Sequence, residues 1–464
     1  MAHRGRAGSR TLPSVRPRDH HTVPTPVPSS PSSPSPSLWR DRDFRALWAG
    51  QTASQLGEHT GLMVLPLIAV LTLGADAGQL GALRAVGQAP VLLLSLLVGA
   101  WVDRRRTRTV MVLADAGRAL ALGGAAVACL FGGPGLPTLC AVAFAVGSLS
   151  VFFDVAYQAS LVRLVDRDLL VPGNSALEGS RSAAQIGGPA LGGVLVSLSA
   201  AVGAATSALF FVLSFLSIRR IRRSEPVPEH APREGGVRRR IHEGVRFVAS
   251  DASLRAVGLA SAAFQFFLAA TMTCYLLFLP RELHLSGAAV GLALAATGPG
   301  ALIGSLLAAR LPRRFGHGPV LVASAAIGDG ALLCVPALHG PAGVTLPALV
   351  AINVVFGTFG QLVNVTVMAV RQAVTPDGLQ GRAAATITFV GLGLAPLGSL
   401  LGGFLAQEWG LRTGLLAAAS GMLLSPVVMA LSPLARLGRT LTGPGGPTAP
   451  TGPPAPAPGP ADPR

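Results

Sequence analysis

Charged side chains interrupt stretches that are otherwise apolar: Glu58, Arg84, Asp115, Arg118, Asp154, Glu178, Arg181 and Asp329. A charged group at mid-membrane costs about 2.5–3.5 kcal/mol, so each needs a partner or a task. Gln51, Gln55 and Glu58 are spaced four and three apart, which sets them on one helix face. That face would line a central cavity, with Glu58 near mid-depth as a group that carries a proton or holds a cation. The competing use of Glu58 is a structural pair with Arg84. Asp115 and Arg118 lie one turn apart and can neutralise each other. Asp154 and Gln158 are four apart on one helix, and Glu178 and Arg181 three apart on another. Asp154 stands at a depth similar to Arg181, so a pair between those helices could form and be broken by a proton. Gln265, Asn353, Gln361 and Asn364 are uncharged candidates for the cavity, and Asp329 is expected to be buried against its neighbours.

Long apolar elements must carry these residues. Hydrophobic residues make up 50% of the 464 and charged residues 12%, against about 25% charged in an average soluble protein. A membrane-spanning helix takes about 20 residues. The apolar runs predict spans over 44–73, 77–100, 109–131, 137–163, 174–198 and 200–218, then 254–280, 286–309, 319–339, 343–370, 380–406 and 411–432. The fold class is thus an all-α polytopic membrane protein, with about twelve helices in two six-helix bundles. The expected division is a disordered cytoplasmic tail over 1–40, a first bundle over 41–218 and a basic cytoplasmic linker over 219–253. A second bundle over 254–436 and a disordered Pro/Gly-rich tail over 437–464 follow. The first tail is rich in Pro, Ser and Arg and has no apolar h-region, so it is not read as a signal peptide. The linker holds an amphipathic helix near 237–250.

The net charge of +16 comes from arginine alone, for the chain has no lysine. The arginines cluster between apolar runs, which makes them a topology signal and a draw for anionic lipid, not a nucleic-acid surface. Four of them crowd into 104–108, between two spans. Counting them places both termini in the cytoplasm and leaves only Arg281 and Arg412 on outer connections. Without lysine there is no Gly-Lys-Ser/Thr loop to hold a nucleotide, so the chain is no ATP-driven pump by itself. Cys129, Cys140, Cys274 and Cys334 form no CxxC or His-Cys cluster, which argues against a metal. Cys129 and Cys140 flank one outer turn and could meet, though inert packing thiols are the simpler expectation. No Ser/His/Asp set or His-x-x-x-His spacing suggests an intramembrane enzyme, and no cofactor is expected.

The halves look alike. Arg163, a polar turn with Asp168, then Gly188-Pro189-Ala-Leu-Gly192-Gly193 is echoed by Arg371, a turn with Asp377, then Ala395-Pro396 and Gly402-Gly403. Gly99 before the 104–108 arginines is echoed more weakly by Gly304 before Arg310, Arg313 and Arg314. Two parallel six-helix repeats would follow. Within the fifth span, small residues let helices approach closely, and Pro189 bends the helix because it donates no backbone hydrogen bond. Such a helix can serve as a seal or pivot.

The loop Gly99-Ala-Trp-Val-Asp103-Arg104 resembles the Gly-x-x-x-Asp-Arg-x-Gly-Arg-Arg loop after the second helix of major facilitator superfamily transporters. Arg106 stands where that pattern has Gly and Thr107 where it has Arg, while Arg108 agrees. The Gly188-Pro189-x-x-Gly192-Gly193 helix resembles the motif of the superfamily's proton-coupled antiporters. Phe44-Arg-Ala-Leu-Trp48-Ala-Gly50-Gln51, Gln55-Leu-Gly57-Glu58, Asn174-Ser-Ala-Leu-Glu178, Arg371-Gln-Ala-Val-Thr-Pro-Asp377 and Gly381-Arg382 are similar to one branch, the transmembrane secretion effectors. Many relatives have Asp where Glu58 stands. The resemblance covers roughly 44–436.

That resemblance implies a secondary active exporter of a bacterial plasma membrane, moving a small amphipathic molecule such as a drug, macrolide-like metabolite or siderophore against entering protons. It also implies that Asp103 accepts hydrogen bonds from the start of the eleventh helix near Leu379–Arg382, latching the outward-open state with help from Arg104 and Arg108. Protons, a small-molecule substrate and the lipid bilayer are the expected partners, and the expected state is a monomer. An uptake permease of the same fold and a non-transporting receptor or scaffold are the competing readings.

Overall fold

The computed structural model describes residues 38–102, 105–164, 169–222, 237–376 and 379–439. Asp103, Arg104, Arg167, Asp168, Asp377 and most of both expected tails lie outside them. The first six helices are α1 (Arg42–Leu67), α2 (Ala77–Val102), α3 (Thr107–Leu130), α4 (Leu136–Leu164), α5 (Leu170–Leu198) and α6 (Ala200–Arg219). The Asp41 carboxylate caps the start of α1 by accepting from the Asp43 and Phe44 amides. Pro66 interrupts the hydrogen-bond ladder near its end, and the chain widens into a π-turn over Ile68–Thr72. The amphipathic helix α7 (Val237–Ser250) follows.

The second half opens with α8 (Ala252–Arg281). Its next span is split into α9 (Gly287–Ala295) and α10 (Thr297–Ala308), and a short α11 (Leu311–Phe315) follows. Then come α12 (His317–Ala331) with a 3₁₀ extension to Ala337, and α13 (Ala342–Val374). The eleventh span is α14 (Gln380–Gly393) plus α15 (Ala395–Trp409), and the twelfth is α16 (Leu411–Met422) plus α17 (Leu424–Ala430). The sequence predicts these three split spans as unbroken. Each break precedes a proline, Pro299, Pro396 or Pro426, which fits the first turn of a helix but not its interior.

Ten of the twelve segments are long and apolar enough to cross a membrane. The helices α2 and α5, of 26 and 29 residues, complete the set. The outward faces of the twelve segments carry bare aliphatic side chains, such as Leu120 of α3 at 77% exposure and Leu306 of α10 at 67%, as a lipid-facing surface requires.

The halves pack alike. α1 lies against α5 and α6, α3 against α6 and α4, and α2 against α4. In the second half α8 lies against α15 and α16, α12 against α17 and α13, and α10 against α13. The halves join where α2 crosses α15 and α5 crosses α9. Gly81 meets Gly403 at the first crossing and Gly193 meets Gly291 at the second; a Cβ added to Gly81 would lie 2.8 Å from the Ser399 carbonyl oxygen, and one added to Gly291 2.5 Å from that of Pro189. Such crossings exist only because no side chain keeps the backbones apart.

Packing is unequal between the two ends. Around these crossings one apolar core runs through both halves, from Leu80 and Ala126 to Phe278 and Ala406. At the end where residues 38–45 and 434–439 lie, there are two cores. One holds Phe44, Met111, Phe153 and Ile218; the other holds Leu254, Leu321, Val370 and Leu434. The bundles are therefore fused at one end and separately packed at the other.

Candidate functional site

Glu58 does not pair with Arg84. Its Oε2 lies 3.6 Å from Nη1 of Arg118, so α1 and α3 share a charge pair that the periodicity of one helix could not assign. Arg118 and Asp115 are fully buried and bond one turn apart, as their spacing predicts. The guanidinium also donates to the Ser54 hydroxyl at 2.9 Å and the Ser150 hydroxyl at 3.2 Å. Ser214 of α6 donates to the second oxygen of Asp115. Phe153 and Phe211 stack on the guanidinium, with ring centres 4.4 and 4.3 Å away. Helices α1, α3, α4 and α6 thus converge on one cation. Sequence reasoning missed the three serines and the Glu58–Arg118 pair. Only Ser54 left a signal, because it falls on the same α1 face as Gln51, Gln55 and Glu58.

Gln51 and Gln55 are buried beside this network, while Glu58 keeps a fifth of its side chain exposed. Asp154 is half-buried on α4, within electrostatic reach of Glu58, Arg118 and Arg181. The expected Asp154–Arg181 bridge is not formed. Arg181 instead meets Glu178 at 3.7 Å, one turn away on an exposed face of α5. Gln158 is exposed. Arg84 is half-buried on α2, and its Nε has no hydrogen-bond partner.

In the second half, Gln265, Asp329, Asn364 and Arg371 line a cavity of about 360 Å³. Asn353, expected in a cavity, is buried away from it and donates to the Tyr275 hydroxyl at 2.8 Å. Gln361 is half-buried at the α10–α13 contact, against Gly304. Asp329 is buried as expected, but a cavity lies beside it.

The glycine-proline helix α5 uses its doublet on two partners. Gly188 and Gly192 face α1 at His59, Thr60 and Met63, while Gly193 turns to Gly291 of α9, and the Pro189 carbonyl approaches Gly291 too. Ser197 accepts from the Ala288 amide at 2.8 Å beyond that crossing. Across the other crossing Gln88 donates to Ser399 at 3.3 Å, and Arg281 donates to the carbonyls of Gly74 and Ala75. Arg412 bridges Glu282 and the carbonyls of Pro336 and Leu338, where the 3₁₀ extension ends. The two arginines that broke the charge asymmetry of the sequence therefore tie down the loops at the fused end. At the far end Gly99 lies in the last turns of α2, and Arg108 donates to the Arg219 carbonyl within the first bundle. All four cysteines are free thiols.

A family model described as transmembrane secretion effector matches residues 32–442. The multidrug efflux pump Tap of Mycobacterium tuberculosis (strain ATCC 25618 / H37Rv) is 29% identical over 400 residues, covering 78% of this chain and 87% of Tap. Tap of Mycolicibacterium fortuitum is 26% identical over 416 residues, covering 85% and 95%. A solved bacterial homologue of the human lysosomal transporter Spinster, in an inward-facing and occupied conformation, superposes with a TM-score of 0.68 at 12% identity. It covers 86% of this chain and 98% of the homologue, and shows a shared fold. With two pseudo-symmetric bundles, glycine-backed crossings and a family match over nearly the whole chain, the protein belongs to the transmembrane secretion effectors, a family of major facilitator membrane transporters, and is not an enzyme.

Proposed function

We propose that the chain is a proton-coupled exporter of small amphipathic molecules in a bacterial plasma membrane, with both termini in the cytoplasm. The observation that carries this reading is the asymmetry of packing: one core shared by both bundles at one end and two separate cores at the other. With the termini inside, this arrangement is the cytoplasm-facing state, and rocking about the α2–α15 and α5–α9 crossings would expose the other side. The Asp103–Arg104–Arg108 loop would then hold the outward-open state.

Glu58 is the proposed proton carrier. It is the member of the Arg118 network that keeps some exposure, and Asp115 already balances the guanidinium. A proton on Glu58 would weaken the α1–α3 pair without leaving Arg118 uncompensated. One proton crossing 100 mV supplies about 2.3 kcal/mol, enough for a gradient of about 50-fold. Export is favoured over uptake by the Gly188-Pro189-x-x-Gly192-Gly193 helix and by relatives named as multidrug efflux pumps.

Ethidium efflux from cells stripped of their own pumps tests the proposal. Expression should speed efflux, and a protonophore should abolish the gain. Energy-dependent accumulation would support the uptake permease instead, and no movement in proteoliposomes would support a receptor.

A further inference from the structure

The two bundles repeat each other element by element, at an offset of 210 residues for α2 and α4 (147 to 357) and 211 for α3 (117 to 328), and the contacts show it. Gly147 packs on the Gly87 carbonyl in the first, and Gly357 on the Thr297 carbonyl in the second. Gly117 packs on Leu149, and Gly328 on Phe359. The residue after each of these last glycines is Arg118 in one bundle and Asp329 in the other. The same position thus holds a buried cation in the first half and a buried acid in the second.

The surroundings differ to match. Arg118 is encased by its own chain, between an acid pair, two hydroxyls and two phenyl rings. In the second bundle the 210-residue offset of α4 onto α13 puts Gly360 where Ser150 stands and Val363 where Phe153 stands. The space so vacated is the cavity of about 360 Å³. Asp329 is 4% exposed, and its Oδ2 has no hydrogen-bond partner. Arg371 also lines the cavity, but it lies seven residues along α13 from Asn364, about 10 Å toward the helix end. Among the described residues it makes no ion pair with Asp329.

We propose that this cavity binds the protonated amine of an organic molecule, with Asp329 as counter-ion and Gln265, Asn364 and Ser324 as polar walls. The ligand supplies from outside what Arg118 supplies to the first bundle. A cavity of this size takes an ammonium group together with a short apolar body. That the amine belongs to the transported solute rests on the export reading above; the binding itself does not.

The full chain in lipid nanodiscs is titrated with monodansylcadaverine, whose ring brightens in apolar surroundings, and with its N-acetylated, uncharged form. The amine should bind at least about 10-fold tighter than the acetylated probe, as a buried carboxylate requires. Asp329→Asn should erase that preference while leaving the acetylated probe's affinity unchanged, which also reports an intact fold. Asp329→Glu should retain part of it. Equal binding of both probes to the natural chain, or an undiminished preference in Asp329→Asn, overturns the proposal. Ethidium efflux separates the two readings. Efflux without an amine preference defeats the subsite alone, whereas an amine preference without efflux supports the subsite and defeats export.

Discussion

Arg118 is the side chain on which the first bundle closes. Its removal would leave the Asp115 carboxylate buried without a counter-charge, which costs about 3–5 kcal/mol. Arg118→Ala should therefore lower the thermal unfolding midpoint in detergent markedly, and Arg118→Met with Asp115→Asn should recover most of the loss. A single variant as stable as the parent would show that the cluster carries no such energy. Glu58→Gln keeps the side chain's shape and removes its charge. It should cut protonophore-sensitive efflux by at least about 10-fold while leaving the unfolding midpoint within the range of a surface change, since Asp115 still faces Arg118. The Asp115–Arg118 pair was legible in the sequence because residues three apart on a helix are neighbours whatever surrounds them. The partner of Glu58 was not, because periodicity fixes a face of α1 but not which helix that face meets. Asp154 and Arg181 failed for the same reason: equal depth is no evidence of equal azimuth.

At the scale of elements, the glycine doublets decide how close the halves come. A Cβ at Gly193 would lie 2.9 Å from the Gly291 Cα, so the α5–α9 crossing cannot take a side chain without parting. Gly193→Val should separate the helices and raise maleimide labelling of a cysteine placed at Ala288, in a background free of the four native cysteines. Gly187 has open space around it, so Gly187→Ala serves as the matched control and should change nothing. Equal labelling in both would contradict the claim that this crossing seals the end. Element ends were read from sequence to within a few residues, because arginines, glycines and prolines mark where a span leaves the membrane. The amphipathic helix α7 was read as well, over the same residues. The breaks at Ala296, Leu394 and Leu423 were missed, for a proline inside an apolar run can bend a helix or restart one. Only the packing of neighbours decides which.

The whole molecule is two copies of one six-helix plan, joined at one end by two equivalent crossings. Cysteines at Gly78 and Gln407, whose side chains would touch across the α2–α15 crossing, should form a disulfide that stops efflux. Reduction should restore it. The repeat was visible in the sequence through the Arg, Asp and Gly-Pro recurrences. What it did not show is that the two copies differ at their centres, one filled by Arg118 and one hollow beside Asp329, because that contrast depends on residues drawn from four or more helices. The central claim is that the fused end opens during each cycle. Spin labels on cysteines at Thr72 and Glu408, both exposed at that end and in opposite halves, measure it by double electron–electron resonance. A short distance should dominate in the resting protein, with a second, longer one gaining population when substrate and a proton gradient are supplied. One unchanging distance in a protein that is actively pumping would contradict the account.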